Sequence, residues 1–223
     1  HLLENTSIKL INTASTGTDH ICLPDCKKLG IKVLSLKNDK KLINKLPSTS
    51  ELSFCLMISL LKNLIPSSSA VKKKQWNYES FIGQELASLT VGIVGFGRLG
   101  KMMASFCDSF GMKVLIYDKY KSSKKFKNVN LEYIAKNSHA ISLHVHLNKE
   151  THKLINRKFL SNCKLSPVII NTSRGDIVVI MKEKKESRRQ DLKPDIYIRA
   201  GSIYGIKRDI IMKKGLRYGT KNS

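Results

Sequence analysis

Apolar and polar positions along the chain fall into short runs that alternate between two periods. Lys9–Asn12 reads as a strand, Thr13–Asp19 as a polar loop, Pro24–Leu29 as a short helix and Ile31–Ser35 as a second strand, which is βαβ punctuation. Pro47 and Ser48 then precede a helical run over Thr49–Asn63, in which Leu52, Cys55, Leu56 and Ser59 recur at helical spacing. Ser48 or Thr49 suits the N-cap and Glu51 the first turn. Pro66–Ser69 is expected to break the helix, and a basic segment through Trp76 and Phe81 leads to Gly83.

From Thr90 the alternation sharpens. Thr90–Val94 is a β-branched strand, Gly95–Gly100 turns into a helix reaching Phe110, and Gly111 stops it. Lys113–Tyr117 predicts the next strand, Leu131–Lys136 a helix, Ala140–Val145 a strand, Asn156–Ser161 a helix and Pro167–Asn171 a further strand. Strands alternating with helices imply right-handed crossovers and a parallel sheet. After Val178 the pattern gives way to charged sequence beginning MKEKKESRRQ, without clear strand alternation or a sustained apolar helix face.

The run Gly95-Phe96-Gly97-Arg98-Leu99-Gly100 fits G-x-G-x-x-G, which alone is weak. Its context is what carries weight: it follows a strand, opens a helix, and precedes a second strand ending in Asp118, 23 residues after Gly95. In that setting Gly95 permits the tight turn, Gly97 lets backbone approach a pyrophosphate, and Gly100 lets helix and strand pack closely. The helix N-terminus offers free N–H groups to phosphate, and Asp118 can accept from ribose hydroxyls while repelling a 2′-phosphate. NAD is therefore expected over NADP, a preference that Lys119 beside Asp118 weakens.

Composition adds limits. With 223 residues, 41% hydrophobic and 26% charged, the chain matches a soluble globular protein. The longest apolar stretch, Leu52–Leu61, has ten residues, whereas a membrane span needs about 20. Neither a membrane partner nor secretion is supported, and a cytoplasmic location is expected; the first residue, His1, suggests that the true N-terminus is missing. Five cysteines form no CxxC pair, and Cys22 and Cys26 lack the further ligands a metal site requires. The net charge of +23 would ordinarily raise nucleic acid as a partner. Its lysines are dispersed without interleaved aromatics, so a solvated surface explains them better and nucleic acid is not the expected partner.

These motifs together resemble the D-isomer-specific 2-hydroxyacid dehydrogenases, most closely the phosphoglycerate dehydrogenase-like branch, over about residues 8–178. The supporting segments are Thr13–Ile21, Pro47–Leu52, Leu89–Val94 with the glycine loop, Ser142–Thr151, and Ile170-Asn171-Thr172-Ser173-Arg174-Gly175. His146 stands where that family usually has proline. The resemblance implies a Rossmann-type doubly wound parallel sheet, incomplete here, and part of a second, flavodoxin-like α/β substrate domain. Its expected boundaries are 1–83 for the partial substrate domain with an interdomain helix, 84–178 for the NAD-binding domain, and 179–223 for a divergent basic tail.

The resemblance further implies hydride transfer between a nicotinamide and C2 of a small 2-hydroxy acid. Arg174 would be catalytic and grip the substrate. Gly95, Gly97, Arg98, Leu99, Gly100, Asp118, His144, Val145, Thr172 and Ser173 would face NAD, and Ser15, Thr16 and Gly17 would hold the substrate carboxylate. A homodimer is the family's common state. The family's acid/base histidine, its paired glutamate and a Pro-His loop lie beyond the arginine strand, and the sequence after Val178 matches none of them. The expectation is thus a fragment or frameshifted chain that binds NAD with little turnover. The alternative is a non-enzymatic NAD-binding regulatory or nucleic-acid-interacting protein. Of the histidines, His20 is the sole surrogate worth weighing, while His139 and His152 read as surface residues.

Overall fold

The computed structural model describes residues 3–4, 6–18, 20–178 and 204–207. The chain divides into two compact units, residues 1–47 and 48–223.

In the first unit, strand β1 (Leu10–Thr13) pairs in parallel with β2 (Lys32–Ser35), and helix α1 (Leu23–Lys28) connects them. Gly30, at φ +68°, makes the turn from α1 into β2. A short helix α2 (Lys40–Asn44) follows, its N-terminus capped by the Asp39 carboxylate accepting from the Leu42 N–H at 2.9 Å.

The second unit opens with helix α3 (Ser48–Leu61), then α4 (Leu64–Lys72). The expected break at Pro66–Ser69 is displaced: the chain turns at Asn63, which takes a left-handed conformation, and α4 runs through Pro66. Proline is tolerated there because a first-turn residue has no intrahelical acceptor for its N–H. A six-stranded sheet follows, formed by β3 (Thr90–Val94), β4 (Lys113–Tyr117), β5 (Lys127–Asn128), β6 (Ala140–Leu143), β7 (Val168–Asn171) and β8 (Tyr204–Lys207). Helices α5 (Arg98–Ser109), α6 (Leu131–Asn137) and α7 (Arg157–Ser161) make the crossovers. The strand order is β5-β4-β3-β6-β7-β8, parallel up to β7, with β8 antiparallel to β7. This is the Rossmann-like α/β arrangement, and it reverses direction beside β3, where α/β sheets hold their ligands.

Both faces of this sheet are buried, as parallel sheets require. Val91, Ile93, Val114, Ile116, Val168 and Ile170 pack on one side with Phe54, Met57 and Met103 from α3 and α5. Val94, Leu115, Ile141, Leu143 and Ile169 pack on the other with Ile134 and Leu160 from α6 and α7. Gly92 lies between Val91 and Ile93, and a Cβ there would meet Ile134 Cγ2 at 2.5 Å and Ser138 Oγ at 2.7 Å. The missing side chain lets α6 approach the strand.

Two expectations need adjustment. The helical run expected to accompany the first domain packs instead with the sheet of the second unit, because Phe54, Met57 and Leu61 join that core. Residues 179–223, expected to be a patternless tail, include strand β8, where backbone pairing at the β7 edge supplies order that side-chain periodicity did not signal. The rest of that segment lies outside the described residues. Among the described residues no single helix is long and apolar enough to cross a membrane, and no cluster of His, Cys, Asp or Glu could hold a metal ion.

Candidate functional site

The glycine loop leaves the carboxyl end of β3 at Gly95, whose φ of +95° strongly favours glycine. A Cβ there would also meet the His144 carbonyl oxygen at 2.6 Å and Val145 Cγ1 at 2.8 Å, so the loop rests directly on the chain leaving β6. At Gly100 a Cβ would collide with the Gly95 carbonyl oxygen, which holds the first turn of α5 close to the loop. Gly97 differs: a Cβ there meets nothing within 4 Å. It is also the N-cap of α5 and makes no side-chain capping hydrogen bond. The first-turn N–H groups of α5 follow it at the positive end of the helix dipole.

Asp118, just past β4, closes the cradle. Its Oδ2 accepts from the Phe96 N–H at 2.7 Å, and its Oδ1 accepts from the Tyr120 and Lys121 N–H groups at 2.8 and 2.9 Å. A carboxylate has about four lone-pair sites. Three backbone donors thus fix the side chain against the glycine loop and leave capacity for another hydroxyl.

His144 follows β6. Its Nε2 lies 2.9 Å from Ser142 Oγ, while its Nδ1 is sealed from solvent without a hydrogen-bond partner. Burial pulls the imidazole pKa down to about 4, so the ring is neutral at neutral pH. His139, expected at the surface, is instead half-buried, with Nδ1 accepting from the Thr90 N–H at 3.0 Å. A donor at the start of β3 recruits it. His152 is exposed.

The segment after β7 is fixed by its own polar side chains. Asn171 Nδ2 donates to the Arg174 carbonyl at 2.8 Å while its Oδ1 accepts from the Ser173 N–H at 3.0 Å. Ser173 Oγ donates to the Leu143 carbonyl at 2.8 Å, tying this segment to the end of β6. Arg174 Nη1 donates to the Ser173 carbonyl at 3.1 Å. Two buried serines of α3 complete the frame and were not singled out from sequence. Ser50 Oγ donates to the Leu99 carbonyl at 3.0 Å, and Ser53 Oγ lies 2.7 Å from Thr172 Oγ1. Their signal was two small polar residues three apart on an otherwise apolar helix face.

The second unit thus gathers Gly95, Gly97, Arg98, Leu99, Gly100, Asp118, His144, Val145, Thr172, Ser173 and Arg174 around the carboxyl ends of β3, β4, β6 and β7. Ser15, Thr16 and Gly17 belong to the first unit. There Ser15 Oγ donates to the Gly17 carbonyl at 2.5 Å and lies 3.1 Å from Thr13 Oγ1, curling the loop after β1. His20 is exposed, with Nε2 3.4 Å from Thr13 Oγ1.

Residues 54–182 match the family model described as D-isomer specific 2-hydroxyacid dehydrogenase, NAD binding domain. The chain is 30% identical over 178 residues to D-3-phosphoglycerate dehydrogenase of Bacillus subtilis, covering 78% of this chain and 33% of that protein. It is 33% identical over 174 residues to hydroxypyruvate reductase of Thermotoga maritima, covering 77% of this chain and 55% of that one. Among solved structures, D-lactate dehydrogenase from Aquifex aeolicus, complexed with NAD and lactic acid, superposes with a TM-score of 0.65 at 38% identity, over 76% of this chain and 51% of that one. The chain therefore spans between a third and about half of the length of these relatives.

Proposed function

Because the chain belongs to the D-isomer specific 2-hydroxyacid dehydrogenase family, we propose that its second unit holds NAD across the carboxyl end of the sheet, in service of oxidoreduction of a small 2-hydroxy or 2-oxo acid. The observation carrying this reading is the cradle itself. Gly95 and Gly100 are closed to any side chain, Gly97 faces open space, and the Asp118 carboxylate is braced beside them with acceptor capacity to spare.

In this reading the first-turn N–H groups of α5 bind the pyrophosphate, Asp118 accepts from an adenosine ribose hydroxyl, and Arg98 and Leu99 contribute backbone to the phosphate cradle. His144 and Val145 line the adenosine side, and Thr172 and Ser173 line the nicotinamide side. When bound, the nicotinamide supplies the hydride chemistry. Arg174 orients the substrate through its carboxylate, as a planar guanidinium suits. The resemblance assigns carboxylate binding to Ser15, Thr16 and Gly17 as well. The phosphoglycerate dehydrogenase-like branch is the preferred one, on the motifs quoted above.

A proton must move with the hydride, and the sequence after Val178 offers no histidine for the task. His144 is held neutral by burial with its Nε2 engaged, and no histidine follows His152. The chain by itself is therefore expected to bind NAD while turning over slowly. Isothermal titration of the 223-residue chain with NAD+ tests the first part. Gly100→Val, which places side chain on the Gly95 carbonyl, should weaken binding at least tenfold. An unaltered affinity would reject the cradle. Oxidation of 2-hydroxy acids at ordinary enzyme rates, about 1 to 10³ per second, would reject the second part.

Homodimerisation is proposed on a further observation. Leu64, Ile65, Val71, Trp76, Tyr78 and Ile82, from α4 to the segment after it, are large apolar side chains all at least 48% exposed within one short stretch of chain. Light scattering should give twice the chain mass, and a Trp76→Glu/Ile82→Glu variant should give a monomer.

A further inference from the structure

The Lys119–Glu150 ion pair is not accounted for by the cradle. Lys119 immediately follows Asp118 at the end of β4, and its Nζ lies 2.5 Å from Glu150 Oε1 in the loop after β6. In the strand order β4 and β6 flank β3. The pair therefore links the two loops on either side of the strand that carries the glycine turn. A shallow depression of about 400 Å³, lined by Leu147, Asn148, Lys149 and His152, opens in the same β6 loop.

Exposed ion pairs usually contribute little, because two long side chains lose entropy to meet and water screens them. Here both backbones are fixed beforehand. Lys119 is bracketed by Asp118, whose carboxylate takes the Tyr120 and Lys121 N–H groups. Glu150 sits inside an Asx turn in which Asn148 Oδ1 accepts from the Glu150 and Thr151 N–H groups at 2.9 and 3.0 Å. Thr151 Oγ1 donates to the His146 carbonyl at 2.5 Å and accepts from the Asn148 N–H at 2.8 Å, closing the loop. Lys119 Nζ also sits 5.5 Å from the centre of the Tyr120 ring. Its ammonium thus has a defined position, and the hydrogen bond to Glu150 holds its pKa above the ordinary lysine value.

A lysine directly after the carboxylate proposed to meet the ribose would attract a 2′-phosphate. Resting on the cofactor-site reading given above, we propose that Glu150 is a specificity-determining residue: it captures Lys119, so that the site discriminates against 2′-phosphorylated nucleotides. Asp118 supplies the repulsion at the ribose, and Glu150 removes the adjacent cation that would offset it. Neither Lys119 nor Glu150 is more than about half shielded, with side-chain exposures of 53% and 57%, so substitutions there leave the core untouched.

The test is calorimetric titration of the full 223-residue chain with NAD+ and with NADP+, for the wild type, E150Q and the K119M/E150Q double variant. Wild type should prefer NAD+. In E150Q the ratio of the NADP+ to the NAD+ Kd should fall about five- to tenfold, the scale of one charge pair at high dielectric. In the double variant the ratio should return to the wild-type value or beyond. An unchanged ratio in E150Q overturns the proposal. So does a fall that persists in K119M/E150Q, because the gain would then come from lost repulsion without any freed lysine. A wild-type chain that binds neither nucleotide overturns the cofactor site itself, a result distinct from either of these.

Discussion

The two sheets of the described residues share parallel strands of similar length and opposite character. In β1 and β2 exposed and half-buried positions alternate, and among the described residues of the first unit only Cys26 and Ile31 are buried apolar residues. In β6 and β7 every position is buried, and β3 is buried from Val91 onward. The difference teaches where the free energy of this chain resides. Burial of apolar area is the main favourable contribution to folding, and it is concentrated in the unit that carries the glycine loop, Asp118 and Arg174. The proposed nucleotide cradle stands on a packed core, whereas the loop of Ser15, Thr16 and Gly17 stands on a sheet with little core of its own.

Core truncation is the most forceful way to break that comparison. Ile93 is fully buried in β3, and Ile93→Ala should destabilise the second unit by about 3 to 4 kcal/mol through lost burial and a cavity that close packing cannot refill. Leu34→Ala in β2, where the side chain is already 38% exposed, should cost about 1 kcal/mol or less. Native-state hydrogen exchange followed by mass spectrometry checks both, since it reads each strand separately. Equal losses of protection would show that the contrast in burial does not translate into stability.

Acid should act on the same core through His144. An unfolded histidine takes up a proton near pH 6.5, whereas the buried ring holds out to about pH 4. Between those values the unfolded state binds more protons, so this contribution to stability is complete above pH 6.5 and is lost as pH falls towards 4. The slope approaches roughly 1.4 kcal/mol per pH unit within the window. Urea denaturation of the wild type and of His144→Asn at pH 7, 6 and 5 should show the gap between them narrowing or reversing as pH falls. Parallel losses in both proteins would exclude His144 as the source.

What the sequence made legible follows the same division. The glycine loop could be read because its constraints act through residue type: a positive φ at Gly95 and forbidden Cβ positions at Gly95 and Gly100 leave one residue permissible. The parallel character of the sheet followed from strands alternating with helices. What escaped was non-local. Ser53 meets Thr172 across 119 positions and Lys119 meets Glu150 across 31, and neither pairing leaves a local periodicity. His139 looked like a polar residue at a helix end until β3 offered it the Thr90 N–H. Pro66 was misjudged for a local reason, since a proline that breaks a helix interior fits a first turn, whereas the first helical run was read to end at Asn63, where the chain does turn.

The smallest effect concerns how the core of the second unit reaches the segment bearing Arg174. Ser53 Oγ donates to the Thr49 carbonyl at 2.7 Å, which spends its single proton, so Thr172 must be the donor across their 2.7 Å contact. Ser53→Ala removes that acceptor and leaves the Thr172 hydroxyl without this partner beside a fully buried position, which should cost about 1 kcal/mol. The Thr172→Val variant should cost a similar amount, and the double variant Ser53→Ala/Thr172→Val should cost less than the sum, as expected for two residues sharing one hydrogen bond. Urea denaturation of all four proteins gives the coupling energy. Strict additivity would mean that α3 holds the Thr172–Arg174 segment by packing alone, and that the packed core reaches the candidate site without this polar link.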